Sequence, residues 1–183
     1  LNPDKRLLDY YINLSIAYRF QYKLNKAYTQ LKSAEKIANT TEDLNYFNGW
    51  IQLNTAKIYL AQYDTNSAIT YFQKAENTGK KYDKFRITKF ANQGLFDIYF
   101  SKKEYPKAEQ HIQTIIQLQK DFWDYRDQKL NAQFNLANLL FKQNKIIKSK
   151  QLLDSVLTQS EKYQYVNTVY NCSILKAKFL RNE

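Results

Sequence analysis

A small residue returns along this chain at a nearly constant spacing. Intervals of 41, 40 and 41 residues separate Ala27, Ala68, Ala108 and Ser149. A second series lies twelve residues before the first and continues for one more repeat. Its members are Ser15, Ala56, Phe96, Ala137 and Ala177. A fixed period of this length is typical of helical solenoids, in which each repeat is a helical hairpin that completes its core against its neighbours.

The composition agrees with helices. The chain has only 3 Gly and 2 Pro in 183 residues, too few for the many tight turns of an all-β fold. Apolar residues make up 44% of the chain, enough for a continuous core, but no run is long enough to span a bilayer. Cys172 is the sole cysteine, and we expect it to be a small apolar filler on a helix. A disulfide-free soluble domain suits the cytoplasm and tolerates a periplasm, so the compartment stays unknown, with the cytoplasm slightly favoured.

The apolar periodicity predicts a single domain over residues 1–183, made of four hairpins and a ninth, unpaired helix. The predicted repeats cover about 8–41, 49–82, 89–122 and 130–163, and the final helix about 165–180. Asn2 and Pro3 predict the first helix start, Asp64 the start of the fourth helix, and Gly79 its C-cap. The chain begins at Leu1 and contains no Met, so we interpret it as a piece of a longer protein. A continuation of the chain, or a second copy, would then cover the apolar stripe of the ninth helix.

The pattern resembles the tetratricopeptide repeat. In that family a large, a small and an aromatic residue recur in the first helix of each hairpin (helix A), and Ala, a bulky residue and Ala recur in the second (helix B). The second repeat shows this with Ala56 and Tyr59, followed by Ala68, Phe72 and Ala75. The resemblance implies an all-α, right-handed superhelical solenoid of antiparallel hairpins. Its period of 40–41 residues exceeds the 34 residues usual for the family. This longer repeat is similar to those in peptide-sensing bacterial regulators, kinesin light chains and bacterial sensor modules.

No constellation for catalysis or metal binding is visible, so we predict no enzyme activity, no catalytic residue, no cofactor and no metal site. His111 is the sole histidine, and we expect it at the surface of a helix. Asp121, Asp124 and Asp127 have a spacing that could suit a cation. The stronger interpretation is that they oppose the dipole of the following helix at its N-terminus.

The resemblance places ligands along the inner surface of the A helices, which we call the inner face. In each repeat it includes the residues two before and one after the small position of helix A, with others on the same stripe. Six of 25 such positions are Asn, against 17 of 183 in the whole chain. An amide offers two donors and an acceptor, so it can pair with a peptide backbone. The predicted peptide-binding residues are Asn13, Trp50, Asn54, Lys57, Phe90, Asn131, Phe134, Asn135, Asn138, Asn171 and Lys178. The competing interpretation is that an Asn-rich sequence places Asn on every wet surface.

The net charge of +11 leaves a second class of function open. Basic surfaces attract nucleic acid, and aromatic side chains can stack on bases. The same charge also suits solubility, and we expect most of it on solvated faces. We therefore predict a non-enzymatic module that binds a protein or an extended peptide, with possible homodimerisation through the terminal helix. The Lys, Asn, Ile and Tyr bias favours a bacterial regulatory protein, and a nucleic-acid-binding helical repeat is the alternative.

Overall fold

The computed structural model describes residues 3–118 and 126–181, which contain nine α-helices and no strand. The helices are α1 (Pro3–Phe20), α2 (Leu24–Thr40), α3 (Phe47–Ala61), α4 (Thr65–Lys81), α5 (Phe85–Ser101), α6 (Tyr105–Leu118), α7 (Arg126–Lys142), α8 (Ile146–Lys162) and α9 (Val166–Leu180). A short 3-10 helix, Glu42–Leu44, lies between α2 and α3. The predicted all-α class is confirmed. None of the described helices is both long and apolar enough to cross a membrane.

The helix starts and ends confirm one of the sequence expectations and correct another. Asp64 caps α4 as predicted, since its carboxylate accepts a hydrogen bond from the Ser67 backbone N–H at 3.0 Å. Gly79 was predicted to end α4, but the helix continues to Lys81 and Gly79 is buried inside it. A Cβ at Gly79 would overlap Thr88, so this glycine permits a close approach of α4 and α5. Asn2, the predicted first cap, lies outside the described residues.

The two series of small residues lie in the core, as the period predicts. Ala27, Ala56, Ala68, Ala108, Ala137 and Ser149 each have 0% of their surface exposed. Ala177 is exposed, because among the described residues no B helix follows α9. The larger Phe96 is also buried. Two residues before it on α5, Gly94 has no Cβ, and this leaves room for the ring of Phe72 from α4. In the hairpin of α7 and α8, the Ser149 hydroxyl donates to the Ala137 carbonyl at 2.6 Å, so the two small positions lie at the contact of its two helices.

The turns between helices use left-handed residues that are not glycine. Four of them follow A helices at nearly the repeat spacing, with φ of 58° at Tyr22, 62° at Tyr63, 60° at Lys103 and 60° at Asn144. After α3, Asp64 N–H donates to the Tyr59 carbonyl and Tyr63 N–H to the Leu60 carbonyl. These paired bonds form a Schellman motif, which satisfies the last carbonyls of a helix. Each hairpin thus closes through backbone hydrogen bonds, at the cost of a strained residue.

The chain divides into two compact units, Leu1–Ile98 and Tyr99–Glu183, which we call unit 1 and unit 2. In unit 1, α1 packs on α2 and α3 on α4, while α1 and α3 also touch each other. Leu8, Leu31, Leu44 and Ile58 belong to its buried cluster. In unit 2, α7 contacts both α8 and α9, around Leu130, Leu153, Val156 and Leu175. In both units successive A helices lie side by side, which produces an inner face in each.

Candidate functional site

In unit 1 the inner face carries an aromatic pair flanked by cations. The rings of Trp50 on α3 and Phe90 on α5 have centroids 5.8 Å apart and are both half-buried. The Arg86 guanidinium lies 5.8 Å from the Trp50 ring centroid, and the Lys89 ammonium lies 4.6 Å from that of Phe90. Cations over aromatic faces are attracted by the ring quadrupole. Trp50 and Phe90, both predicted to bind a peptide, therefore lie together and close to two basic side chains.

The amides of unit 1 are less available than the sequence suggested. Asn54 is only 5% exposed, and its side-chain N–H donates to the Trp50 carbonyl of its own helix at 2.9 Å. This bond to the preceding turn explains how Asn is tolerated in the middle of α3. Asn13, in the matching position of α1, is exposed. The neighbouring Leu53 belongs to the core, at 1% exposure.

Two cations of the inner face of unit 1 lie near each other. Lys57 on α3 is exposed, yet burial lowers its pKa, and the positive charge of Arg19 on α1 lowers it further. Burial also lowers the pKa of Arg19. The structure thus gives the predicted residue Lys57 a neighbour, Arg19, that the predicted site did not include.

Asp97 occupies the same register position on α5 as Lys57 on α3, directly after the small-position residue. Burial raises the pKa of its carboxyl, and the hydrogen bond that it accepts from the Gln93 amide at 2.9 Å opposes this rise. Gly94, predicted to point inward beside it, instead meets Phe72 of α4. The Asp97 side chain is nevertheless exposed, as is that of Lys57, so the inner face of unit 1 has ionisable groups of both signs that solvent reaches and neighbouring protein partly covers.

In unit 2 the inner face is rich in amides. Asn135, Asn138 and Asn171 are half-buried and Asn131 is exposed. No hydrogen bond joins any of these four side chains to another residue that the structure describes. Lys178, in the last turn of α9, is exposed. These amides keep their donors and acceptors for solvent or a ligand.

The aromatic residues of unit 2 serve its core more than a surface. Phe134 is half-buried and packs against the buried cluster of α7, α8 and α9. Phe141, near the end of α7, meets Phe179 of α9 edge to face with ring centroids 4.8 Å apart. Such a contact contributes to stability. Among the predicted peptide-binding residues of unit 2, the exposed part of Phe134 therefore provides the aromatic surface.

The remaining chemistry-bearing side chains do not form a reactive site among the described residues. Burial raises the pKa of Cys172 to about 11, with a smaller contribution from Glu161, so it is a buried thiol at neutral pH. His111 is half-buried and stacks on Tyr99 at 5.6 Å, which corrects its predicted surface position. Asp127 lies in the first turn of α7 as expected, while Asp121 and Asp124 lie outside the described residues. Within residues 3–118 and 126–181, no three potential ligands cluster as a metal site would need.

Comparison with known proteins rests on structure. No family model matches the chain, and no curated protein matches it in sequence. The crystal structure of the apo form of RapI aligns with 98% of this chain at a TM-score of 0.84 and 16% identity. The fold is that of a tetratricopeptide-like helical repeat. BtubC from P. vanneervenii aligns with 91% of the chain and 67% of its own length, at a TM-score of 0.73 and 16% identity. The chain spans about half, 50%, of the RapI chain.

The sequence could have found Arg19 as a partner of Lys57. It lies three residues, about one helical turn, after Ile16, which directly follows the small position Ser15, and so on the same stripe of α1 as the inner-face positions. What the sequence lacks is the pairing of α1 with α3, which brings the two cations together. The amide positions of unit 2 needed no such information, because they follow from the repeat alone.

Proposed function

We propose that the chain is a non-enzymatic module that binds an extended peptide or protein segment on the inner face of its A helices. It would serve as the sensor or scaffold part of a bacterial regulatory protein. The observation that carries this is the amide set of unit 2. The side chains of Asn131, Asn135, Asn138 and Asn171 are held on one face without a hydrogen-bond partner among the described residues.

The chemistry of an amide suits an extended backbone. Each Asn can donate to a peptide carbonyl and accept from a peptide N–H, as a neighbouring β-strand would. Asn is also a poor helix former, so its recurrence inside α7 costs helix stability without a compensating intrahelical bond. In unit 1 the Trp50–Phe90 pair would contribute an apolar side-chain contact. RapI, similar in fold, was solved in an apo form, which fits a protein that also has a bound form.

The test is calorimetric titration with a partner identified by pull-down. Asn135→Ala combined with Asn138→Ala removes two amides and should weaken binding roughly tenfold or more, since each hydrogen bond contributes about 0.5–1.5 kcal/mol. The matched control is Asn66→Ala with Asn77→Ala, which removes two exposed amides of α4. Circular dichroism should show the same helix content in all three proteins. Equal affinity of both double variants would overturn the proposal.

Nucleic acid is the alternative outcome. The net charge of +11 predicts weak, sequence-independent binding of RNA or DNA at low salt. Affinity should then fall log-linearly with salt concentration and be lost near physiological ionic strength. Sub-micromolar binding of either nucleic acid at that ionic strength would replace the peptide proposal with the nucleic-acid one.

The outer side of α9 supports a second, separate proposal of self-association. Val166, Tyr170, Ile174 and Leu180 are exposed by 74%, 65%, 41% and 70%. An apolar stripe of this kind is typical of an interaction surface. We propose that a second copy of the chain covers it. Sedimentation equilibrium should detect a dimer that Tyr170→Lys dissociates, and a monomer at all concentrations would contradict the proposal.

A further inference from the structure

A groove lies on the outer side of unit 1, between α2 and α4, and α3 forms its floor. It consists of three adjoining clefts, with volumes of about 440, 20 and 320 Å³. Tyr28 lines the first two clefts, while Glu35 and Gln52 line the last two, so the clefts are continuous. None of the predicted inner-face residues of α3 lines these clefts. We call this surface, between residues 24–39 of α2 and residues 71–82 in and after α4, the outer groove.

Three tyrosines line the wide end and the narrow middle of the outer groove, one from each helix. The rings of Tyr59 on α3 and Tyr71 on α4 stack with centroids 5.3 Å apart. Tyr28 on α2 lines one cleft with Tyr59 and the next with Tyr71, and all three side chains are half-buried. The Tyr59 and Tyr71 hydroxyls have no hydrogen-bond partner among the residues that the structure describes. Aromatic surface and phenolic hydroxyls are therefore both available to a ligand.

The matching place in unit 2 is closed by side chains. Glu109 on α6 has the register position of Tyr28, directly after the small residue of helix B. Its carboxylate accepts hydrogen bonds from the Gln143 amide at 3.0 Å and from the Lys145 ammonium at 3.4 Å. Gln62, which matches Gln143, is exposed and its amide bonds to no other described residue. Unit 1 therefore leaves open the place that unit 2 bridges.

The packing of the repeat does not require tyrosine at these positions. Leu140 and Leu152 occupy in unit 2 the register positions of Tyr59 and Tyr71. Both leucines lie in hairpins of the same fold, so an aliphatic side chain serves there as well. The hydroxyls of the tyrosines in unit 1 therefore add hydrogen-bonding capacity that the fold itself does not use.

The lining of the outer groove favours an extended ligand over a helical one. The first cleft combines the hydroxyls of Tyr28 and Tyr59 with the amides of Asn25 and Gln62. A helix satisfies its own peptide groups, so it would cover these polar groups without giving them partners. An extended segment has free carbonyls that can accept from hydroxyl and amide donors.

A polyproline II segment fits this lining best. It has no internal hydrogen bonds and its prolines lack N–H groups, so its backbone offers mainly acceptors to the donors of the groove. Aromatic-lined grooves are the surfaces that recognise such segments. The part of α2 that lines the groove rises about 22 Å, the length of about seven residues in this conformation. We propose that the outer groove binds a proline-rich segment of a partner protein. This second site is separate from the inner face and does not rest on the function proposed there.

Unit 2 suggests a variant that closes the groove. Tyr28→Glu gives α2 the acid that α6 has at Glu109, and its carboxylate should accept from the Gln62 amide. Circular dichroism should show the same helix content as in the wild-type chain. Peptides that need the open groove should bind the wild-type chain and not this variant.

Affinity selection identifies these peptides. Two libraries of peptides about nine residues long have either Pro or Ala at every third position and random residues elsewhere. Each library is first depleted on immobilised Tyr28→Glu protein and then selected on the wild-type chain. The proline library should yield enriched peptides and the alanine library none. Enrichment from the alanine library, the better helix former, would mean that the groove does not require proline and would overturn the proposal. No enrichment from the proline library would overturn it too.

A milder double variant tests the hydroxyls and keeps the rings. Tyr28→Phe with Tyr71→Phe should bind the selected peptides roughly tenfold more weakly in fluorescence anisotropy, because two hydrogen bonds are lost. The matched control is Tyr10→Phe with Tyr63→Phe, which removes two exposed hydroxyls outside the groove and should stay within about twofold of wild type. Equal affinity of the two double variants would overturn the proposed role of the groove.

The amides of unit 2 locate the peptide on one side of the chain or the other. Asn135→Ala with Asn138→Ala should leave the affinity for the selected peptides unchanged, because these residues lie on the inner face. If this variant weakens binding and Tyr28→Phe with Tyr71→Phe does not, the peptides bind the inner face. That result would overturn the outer site and leave the function proposed for the inner face standing.

Discussion

The inner faces of the two units occupy the same register positions with different chemistry. Directly after the small residue of helix A, unit 1 has Lys57 and Asp97, whereas unit 2 has Asn138 on α7. Burial shifts the pKa of both ionisable groups toward the neutral form, while the amide has no charge to lose. At these positions unit 1 therefore has ionisable side chains, whereas unit 2 has a neutral amide. The repeat constrains the position of a side chain, but not its chemistry.

The small position of helix A shows the opposite behaviour when α3 is compared with α7, because both helices have a buried Ala there. Ala56 in unit 1 and Ala137 in unit 2 are both 0% exposed, and each lies on an A helix against its B helix. Packing in a protein interior leaves little room for an added methylene. Within this one chain, these core positions of the repeat therefore have the same geometric role, whereas the inner-face positions differ in chemistry.

The largest expected effect tests the shared part of this comparison. Ala56→Leu and Ala137→Leu should each lower the free energy of unfolding by about 1–3 kcal/mol, because the added side chain forces the hairpin apart. Ala177→Leu is the matched control, since Ala177 has the same register position on α9 but is exposed. Its change should stay within about 0.5 kcal/mol. Urea denaturation of the three variants measures this, and equal losses in all three would mean that burial is not the cause.

The sequence predicted the core better than the turns. Periodicity alone locates Ala137 and Ala56 in the core, because burial of a helix face repeats with the helix. Gly79 was expected at a C-cap, since glycine favours the left-handed region, yet the structure has Asp83 there with a φ of 50°. Gly79 is needed instead for the approach of Thr88, a contact between helices that local propensity does not contain.

The candidate site divides in the same way. The positions of Asn135 and Asn138 on one face follow from the register, and the structure has them on α7 without a side-chain hydrogen bond to a described residue. The bond from Asn54 to the Trp50 carbonyl depends on a rotamer, which the sequence does not specify. The proximity of Arg19 and Lys57 depends on helix packing. The repeat therefore predicts the face on which Asn135 and Asn138 lie, but neither the burial of Asn54 nor the partners of these side chains.

A smaller effect concerns the turns that close the hairpins. Tyr63 in unit 1 and Asn144 in unit 2 follow equivalent A helices with φ of 62° and 60°. A left-handed conformation is unfavourable for Tyr and better tolerated by Asn. Tyr63→Gly should therefore raise the free energy of unfolding by about 0.5–1 kcal/mol, and Asn144→Gly by a few tenths at most. Tyr63 is 89% exposed, so little packing is lost. Equal gains at both turns would show that the residue type does not matter there.

The smallest effect sharpens the difference between the inner faces. Because the pKa of Asp97 is raised in the folded protein, the folded state binds more protons than the unfolded state between the two pKa values. Stability then falls as the pH rises through this window, and the full penalty remains at pH 7. Below the ordinary Asp pKa of 3.8, both states are protonated and the penalty disappears.

Asp97→Asn gives unit 1 the amide that unit 2 has in the matching position. It should raise the free energy of unfolding at pH 7 by about 0.5 kcal/mol or less, since Asp97 is partly screened by solvent. The gain should vanish by pH 3, where the Asp97 carboxyl is neutral in both states. Asp43→Asn, at an exposed carboxylate in the 3-10 helix, controls for the general loss of a negative charge. Thermal unfolding from pH 3 to pH 8 measures both variants. If the gain in the free energy of unfolding persists at pH 3, packing or hydrogen bonding is its cause. The charge of Asp97 would then not explain the difference between the two inner faces.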